Sequence, residues 1–102
     1  MAIANRLQNT FTIVNQTGQS LTSLRVEVCN QKFDLGSIPP NGQTSRTYNI
    51  TTDSGYSVQA TLKDGSRIEE IDGYVTTGYY GVRDRIVLKS NRNITVIQST
   101  LW

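Results

Sequence analysis

The chain lacks histidine altogether and has a single cysteine, Cys29, among its 102 residues. Imidazole, reactive thiolates and clustered acids supply most of the proton transfer and metal binding that proteins carry out near neutral pH. The acids of this chain are instead scattered one or two at a time between short hydrophobic stretches. Such a composition favours binding over catalysis, and we predict that the protein is not an enzyme and holds no cofactor.

The lone cysteine and the acids are the residues from which a reactive or metal-binding site could be built. One cysteine cannot form an internal disulfide, and without a histidine to serve as base we expect Cys29 to be a buried, inert thiol. The acids do not follow calcium-loop spacing, and aspartate has its own reasons to occupy turns, so no metal site is predicted. A hydrolase that works with carboxylates alone would need a pair brought together by folding, and it is the least favoured function.

Long apolar runs and strong charge are also missing. No stretch approaches the roughly 18 apolar residues of a membrane-spanning helix. Residues 1–9, expected to be a flexible N-terminal segment, do not resemble an intact signal peptide, so membrane association would need an anchor that this sequence does not include. A net charge of +2 is too small to predict a nucleic-acid partner by itself.

Two segments alternate apolar and polar residues strictly, which is the pattern of a half-buried β-strand. In residues 21–29 the apolar face consists of Leu24, Val26 and Val28. In residues 56–62 it consists of Tyr56, Val58, Ala60 and Leu62. Both segments are predicted to be strands with one face in the core.

Turn signals separate these strands from weaker ones along the whole chain. Asp64-Gly65 is typical of a two-residue hairpin, and Pro39-Pro40-Asn41-Gly42 cannot continue a sheet ladder. No segment keeps a helical period. Residues 1–102 are therefore predicted to form one all-β domain, an immunoglobulin-like antiparallel β-sandwich of about seven short strands.

Residues 71–85 differ from the rest of the chain. They contain three of the eight glycines, three of the five tyrosines and two arginines. Tyrosine and arginine are enriched at recognition surfaces, so we predict a binding loop at one end of the sandwich. Its candidate partner-binding residues are Tyr74, Tyr79, Tyr80, Arg83 and Arg85.

Other interpretations of the same segment remain open. The tyrosines could instead cover the open end of a small β core. Basic residues interleaved with aromatic ones also suit single-stranded nucleic acid, but Asp72 and Asp84 dilute the charge and make that interpretation the weaker one. Asn15, Asn49 and Asn93 match the N-glycosylation pattern, as chance allows in a chain rich in asparagine and threonine.

Three segments carry a resemblance to a known group of proteins: residues 11–18 (FTIVNQTG), 35–42 (LGSIPPNG) and 73–79 (GYVTTGY). In their order, the chain resembles small bacterial cell-envelope proteins of unassigned function, which are often made with a signal or a single membrane anchor. The resemblance implies an immunoglobulin-like sandwich in the periplasm or elsewhere outside the cytoplasm. It implies no reaction and transfers no site residue.

Taken together, these observations predict a non-catalytic extracytoplasmic binding module whose partner is another protein. It binds through the loop of residues 73–85 or through an open sheet edge, and an immunity or inhibitor role is a variant. The alternative is a carbohydrate-binding module, in which Tyr74, Tyr79 and Tyr80 would stack against a glycan.

Overall fold

The computed structural model describes residues 8–78 and 81–99 and forms eight β-strands. These are β1 (Asn9–Gln16), β2 (Leu21–Val28), β3 (Gln31–Asp34), β4 (Gln43–Tyr48), β5 (Ser54–Leu62), β6 (Arg67–Val75), β7 (Arg83–Lys89) and β8 (Ile94–Ile97). No helix long and apolar enough to span a membrane occurs in the described residues.

The strands form two four-stranded sheets packed face to face. Sheet A has the order β4-β1-β7-β8, and sheet B has the order β3-β2-β5-β6. All neighbouring strands are antiparallel except β1 and β7, which run parallel. The predicted β-sandwich is thus confirmed, with eight strands rather than about seven.

The core lies between the inward faces of the two sheets, as the alternating segments predicted. The inward residues of β2 and β5 named above are all buried, and those of β1 and β7 meet them from the other sheet. The most enclosed of the latter are Phe11, Ile13, Ile86 and Leu88. Cys29 is buried too, and its Sγ donates to the carbonyl oxygen of Thr52.

Two polar signals in the sequence have structural explanations. In the β5–β6 hairpin, Gly65 has a φ of 87° and Asp64 Oδ1 accepts hydrogen bonds from the backbone N–H and the hydroxyl of Ser66. Asn15 is fully buried, and its Nδ2 donates to the carbonyl oxygens of Gln19 and Pro39 at 2.8 and 3.0 Å. The glycosylation match at Asn15 is therefore enclosed in the folded chain.

The structure bears on two predicted boundaries. β1 begins at Asn9, a buried residue at the end of the segment 1–9 that we expect to be flexible, and residues 1–7 of that segment lie outside the described residues. The predicted loop of residues 71–85 is much shorter, because β6 continues to Val75 and β7 begins at Arg83. Only residues 76–82 connect the two strands.

Candidate binding surface

The five predicted binding residues do not share one loop. Tyr74 belongs to β6, an edge strand of sheet B, whereas Arg83 and Arg85 belong to β7, a central strand of sheet A. Tyr79 and Tyr80 lie outside the described residues. The prediction of a single binding loop is wrong for the three described residues, which are placed by two strands.

A β-bulge sets the position of Tyr74. Ser54 pairs with Val75 and Tyr56 with Asp72, so two residues of β6, Gly73 and Tyr74, face one residue of β5. Gly73 has a φ of 74°, and a Cβ there would lie 2.9 Å from Val96 Cγ1. A glycine with positive φ is the usual first residue of this kind of bulge, which bends the strand and redirects the next side chain. Here it also lets β6 approach β8 closely.

Hydrogen bonds hold Tyr74 at both its backbone and its hydroxyl. Its N–H donates to Gln98 Oε1 at 3.0 Å, and Gln98 Nε2 donates to its carbonyl oxygen at 2.6 Å. Its hydroxyl donates to Asp53 Oδ2 at 3.2 Å. The ring is therefore fixed while 54% of the residue stays exposed.

Asp53 is the acceptor that organises the connection after β6. Its Oδ1 accepts from the backbone N–H of Thr77 at 2.9 Å and from the Thr77 hydroxyl at 3.2 Å. These bonds favour the ionised carboxylate: the Thr77 N–H contributes most, followed by the Tyr74 hydroxyl, and together they lower the pKa of Asp53 below its ordinary value.

Two further large apolar side chains are exposed on the edge strands β6 and β8. Ile71 on β6 is 74% exposed and Ile97 on β8 is 53% exposed. β6 and β8 are edge strands of different sheets, and Val96 N donates to Asp72 Oδ2 between them at 3.3 Å. Ile71 pairs with Ser57 and faces outward from sheet B, whereas Ile97 pairs with Arg85 and faces outward from sheet A. We call these two adjoining edge strands, with their exposed Ile71, Tyr74 and Ile97, the β6/β8 flank. Sequence reasoning missed both isoleucines, because nothing local to either residue distinguishes an exposed isoleucine from a core one.

The two arginines face outward from sheet A. Their neighbour Asp84 is buried, so strand alternation turns Arg83 and Arg85 to the opposite face. Arg85 is exposed and pairs in register with Ile97, which places it at the border of the β6/β8 flank. Arg83 is half-buried, and its guanidinium donates to the carbonyl oxygens of Gln8 and Val82.

Asp84 lies in the core instead of diluting the charge of a loop. It is 1% exposed, and the hydroxyl of Tyr56 donates to its Oδ2 at 2.7 Å. The Tyr56 and Tyr48 hydroxyl oxygens are 2.7 Å apart. Because Tyr56 comes from sheet B while Tyr48 and Asp84 come from sheet A, this network joins the two sheets.

The buried network also connects to the exposed surface. Gln98 Nε2 donates both to Asp84 Oδ2, at 3.2 Å, and to the Tyr74 carbonyl oxygen. The N–H of Ser99 donates to Asp84 Oδ1 at 3.0 Å. Asp84 thus fixes the chain that follows β8 and, through Gln98, the backbone of Tyr74.

The outward face of sheet B carries shallow polar depressions. The best defined has a volume of about 200 Å³ and is lined by Ser23, Leu24, Arg25, Asp34, Gln59, Ala60, Thr61 and Arg67. Its lining contains no aromatic side chain, so it lacks the flat stacking surface that the carbohydrate-binding interpretation requires. Within the described part of the chain, no three acid or cysteine side chains come together in a way that could hold a metal ion.

Comparison with known proteins yields a structural likeness. No family model matches the chain, and no curated protein does. A protein from Eubacterium rectale, solved by NMR, is similar in structure with a TM-score of 0.65 and 13% sequence identity. The match covers 95% of this chain and 93% of that one. At this identity the likeness concerns the fold.

Proposed function

We propose that the protein is a non-catalytic binding module whose β6/β8 flank docks another protein. The observation that carries the proposal is that two adjoining edge strands carry all three large exposed apolar side chains of the described residues, with Arg85 paired beside Ile97. An edge strand has a row of unpaired backbone groups to which another chain can pair, and exposed apolar side chains add contact area there.

The way in which Tyr74 is held supports this role. Binding is weakened by the entropy lost when mobile side chains become fixed in an interface. The Tyr74 backbone and hydroxyl are already bonded to Gln98 and Asp53 in the free protein. The ring therefore offers apolar contact area at little further cost in side-chain order, as tyrosines of recognition surfaces do.

The absence of catalysis is part of the proposal and has its own support. The two buried groups that could take part in acid–base or nucleophilic chemistry, Cys29 and Asp84, are engaged in structural bonds. Cys29 is buried and donates to a carbonyl oxygen, and Asp84 accepts bonds from Tyr56, Gln98 and Ser99. Location in the bacterial cell envelope, with an immunity- or inhibitor-type role, completes the proposal and rests on the sequence resemblance.

The test is affinity capture from envelope and cytosolic extracts, followed by calorimetry with the purified partner. The flank variant is Tyr74→Ala/Ile97→Ser, and the control is Lys32→Ala/Gln43→Ala, which alters exposed residues on β3 and β4 at the opposite side. We expect wild type and control to bind one protein with equal affinity. We expect the flank variant, at an unchanged melting temperature, to raise the Kd by about tenfold or more.

Other outcomes decide against the proposal. Equal affinity of the flank variant, or no protein partner for folded wild type in either extract, would overturn it. Binding on a panel of neutral glycans that is lost with Tyr74→Ala would support the carbohydrate-binding module instead.

A further inference from the structure

Strand β7 arranges basic side chains in a row on the outward face of sheet A. Arg83, Arg85 and Lys89 occupy three of the four outward positions of β7, and the fourth is Val87, which is 7% exposed. Residues two apart on a strand are about 7 Å apart, so the row extends over about 20 Å. We call these three residues the β7 row.

Hydroxyl and amide side chains flank the row. On β1, Thr10 pairs in register with Arg83 and Thr12 with Arg85, while Gln16 pairs with Lys89. On the other side, Thr95 of β8 pairs with Val87 in the middle of the row. A ligand lying along β7 would therefore meet cations on either side of Val87. It would meet hydroxyl and amide groups on the β1 side, and Thr95 and the apolar Ile97 on the β8 side.

The charge of this face is not compensated within its own sheet. The four strands of sheet A carry four basic residues, Arg46, Arg83, Arg85 and Lys89, and one acid. That acid is Asp84, which is buried and bonded to Tyr56. The ion pair found among the described residues, Arg67–Glu69, lies on sheet B.

Arg83 is positioned in advance of binding. Its Nη1 is held by two carbonyl oxygens, yet a guanidinium has five N–H donors, so others remain to reach a ligand. A planar guanidinium that is already held in place suits a carboxylate or sulfate, which can accept two parallel hydrogen bonds.

We propose that the β7 row binds a linear anionic polysaccharide. Its sulfate or carboxylate groups lie on Arg83, Arg85 and Lys89, and its sugar hydroxyls lie against Thr10 and Thr12. The ligand differs from that of the β6/β8 flank, and the two sites meet only where Arg85 pairs with Ile97, so this inference goes beyond the proposed function and does not depend on it.

The character of the face favours a glycan over other polyanions. Single-stranded nucleic acid binds largely by stacking on aromatic side chains, and the outward positions described on these four strands carry none. The core of a protein interface is depleted in charge, whereas three of the four outward positions of β7 are charged. Charges in a single row fit a chain better than the two-dimensional array of headgroups in a bilayer.

The test measures binding of heparin oligosaccharides by calorimetry and by the salt concentration that elutes the protein from immobilised heparin. The variant is Arg85→Gln/Lys89→Gln. The matched control is Arg25→Gln/Lys32→Gln, which removes the same net charge from exposed residues of sheet B. We expect the β7 variant to bind about tenfold more weakly and to elute at lower salt, with the control close to wild type.

Three results would overturn the inference. One is an equal loss of affinity in the variant and its control, which would mean that heparin responds to net charge alone. Another is tighter binding of a thymidine oligonucleotide, poly-L-glutamate or phosphatidylserine vesicles than of heparin at equal charge. The third is the absence of heparin binding by wild type. Tyr74→Ala is expected to leave heparin affinity unchanged, which separates this site from the β6/β8 flank.

Discussion

The outward faces of the two sheets use charge differently. On sheet B, Arg25 stands opposite Asp34 and Glu27 opposite Lys32 in the β2–β3 register. Arg67 and Glu69 add an ion pair of 2.7 Å on β6. On sheet A, the arginines of β7 stand opposite threonines of β1.

Charges that are paired across strands can stabilise the fold, whereas charges without such a partner remain available to a ligand. Opposite charges across neighbouring strands typically stabilise a sheet by about 0.2–1 kcal/mol per pair. Sheet B has this arrangement, and its face carries both signs of charge. Sheet A lacks such pairs among its described outward positions, and under the inference above Arg85 and Lys89 serve a ligand instead.

The largest predicted effect is on the core that both faces share. Val26 is fully buried on β2, opposite Phe33 and Val58. Val26→Asp would bury an unpaired carboxylate, which costs more than a small domain's usual margin of stability, and we expect the chain to be unfolded at neutral pH. Circular dichroism and urea titration test this.

Ser23→Asp is the matched control for that prediction. It places the same carboxylate at an exposed position of the same strand, and we expect its stability to lie within about 0.5 kcal/mol of wild type. If Val26→Asp unfolded cooperatively with the same urea midpoint as wild type, the packing of the two sheets would not depend on this core position.

The second effect concerns the buried network that joins the sheets. Tyr56→Phe removes the hydroxyl that lies between Asp84 and Tyr48 and leaves a buried carboxylate one donor short. We expect a loss of about 1–3 kcal/mol in the free energy of unfolding. Tyr74→Phe is the control: it removes an exposed hydroxyl that also donates to an aspartate, Asp53, and should cost at most about 0.5 kcal/mol. Equal losses would contradict a special role for the buried network.

Tyr56→Phe should also change how the free energy of unfolding depends on pH in the alkaline range. Burial raises the pKa of the Tyr56 hydroxyl above its ordinary value of 10.0, and its hydrogen bond with Tyr48 raises it further. The unfolded chain therefore loses this proton first, and wild-type stability, complete below pH 10, should fall as the pH rises above it. Tyr56→Phe lacks the group and should show a shallower decline in urea titrations between pH 9 and 11.

The core could be predicted from the sequence because its pattern is local. Alternation in residues 21–29 and 56–62 identifies the buried face without reference to any partner strand. The burial of Asp84 was not predicted, although Asp84 occupies the same face of β7 as the inward residues Ile86 and Leu88. Its flanking arginines make the start of β7 look like a polar loop, and the donor that makes its burial tolerable, Tyr56, comes from the other sheet.

The candidate site could be predicted only in part. Tyrosine and arginine content pointed to Tyr74, Arg83 and Arg85, but their assignment to two strands depends on the Gly73 bulge and on which strands form the edges. The exposure of Ile71 and Ile97 depends on the same long-range arrangement, which no local pattern encodes.

The smallest predicted effect tests the contrast between the faces most directly. Arg25→Gln removes one member of a cross-strand pair with Asp34 and should lower the free energy of unfolding by about 0.2–1 kcal/mol. Arg85→Gln removes a cation that has no acid opposite it on sheet A, so stability should stay constant or rise by a few tenths of a kcal/mol, about the size of a weak surface charge effect. Urea titrations at low and high salt measure both, and Asp34→Asn should abolish the cost of Arg25→Gln. If Arg85→Gln destabilised the chain more than Arg25→Gln, Arg85 would have a structural role, and the argument that sheet A keeps its charge for a ligand would fail.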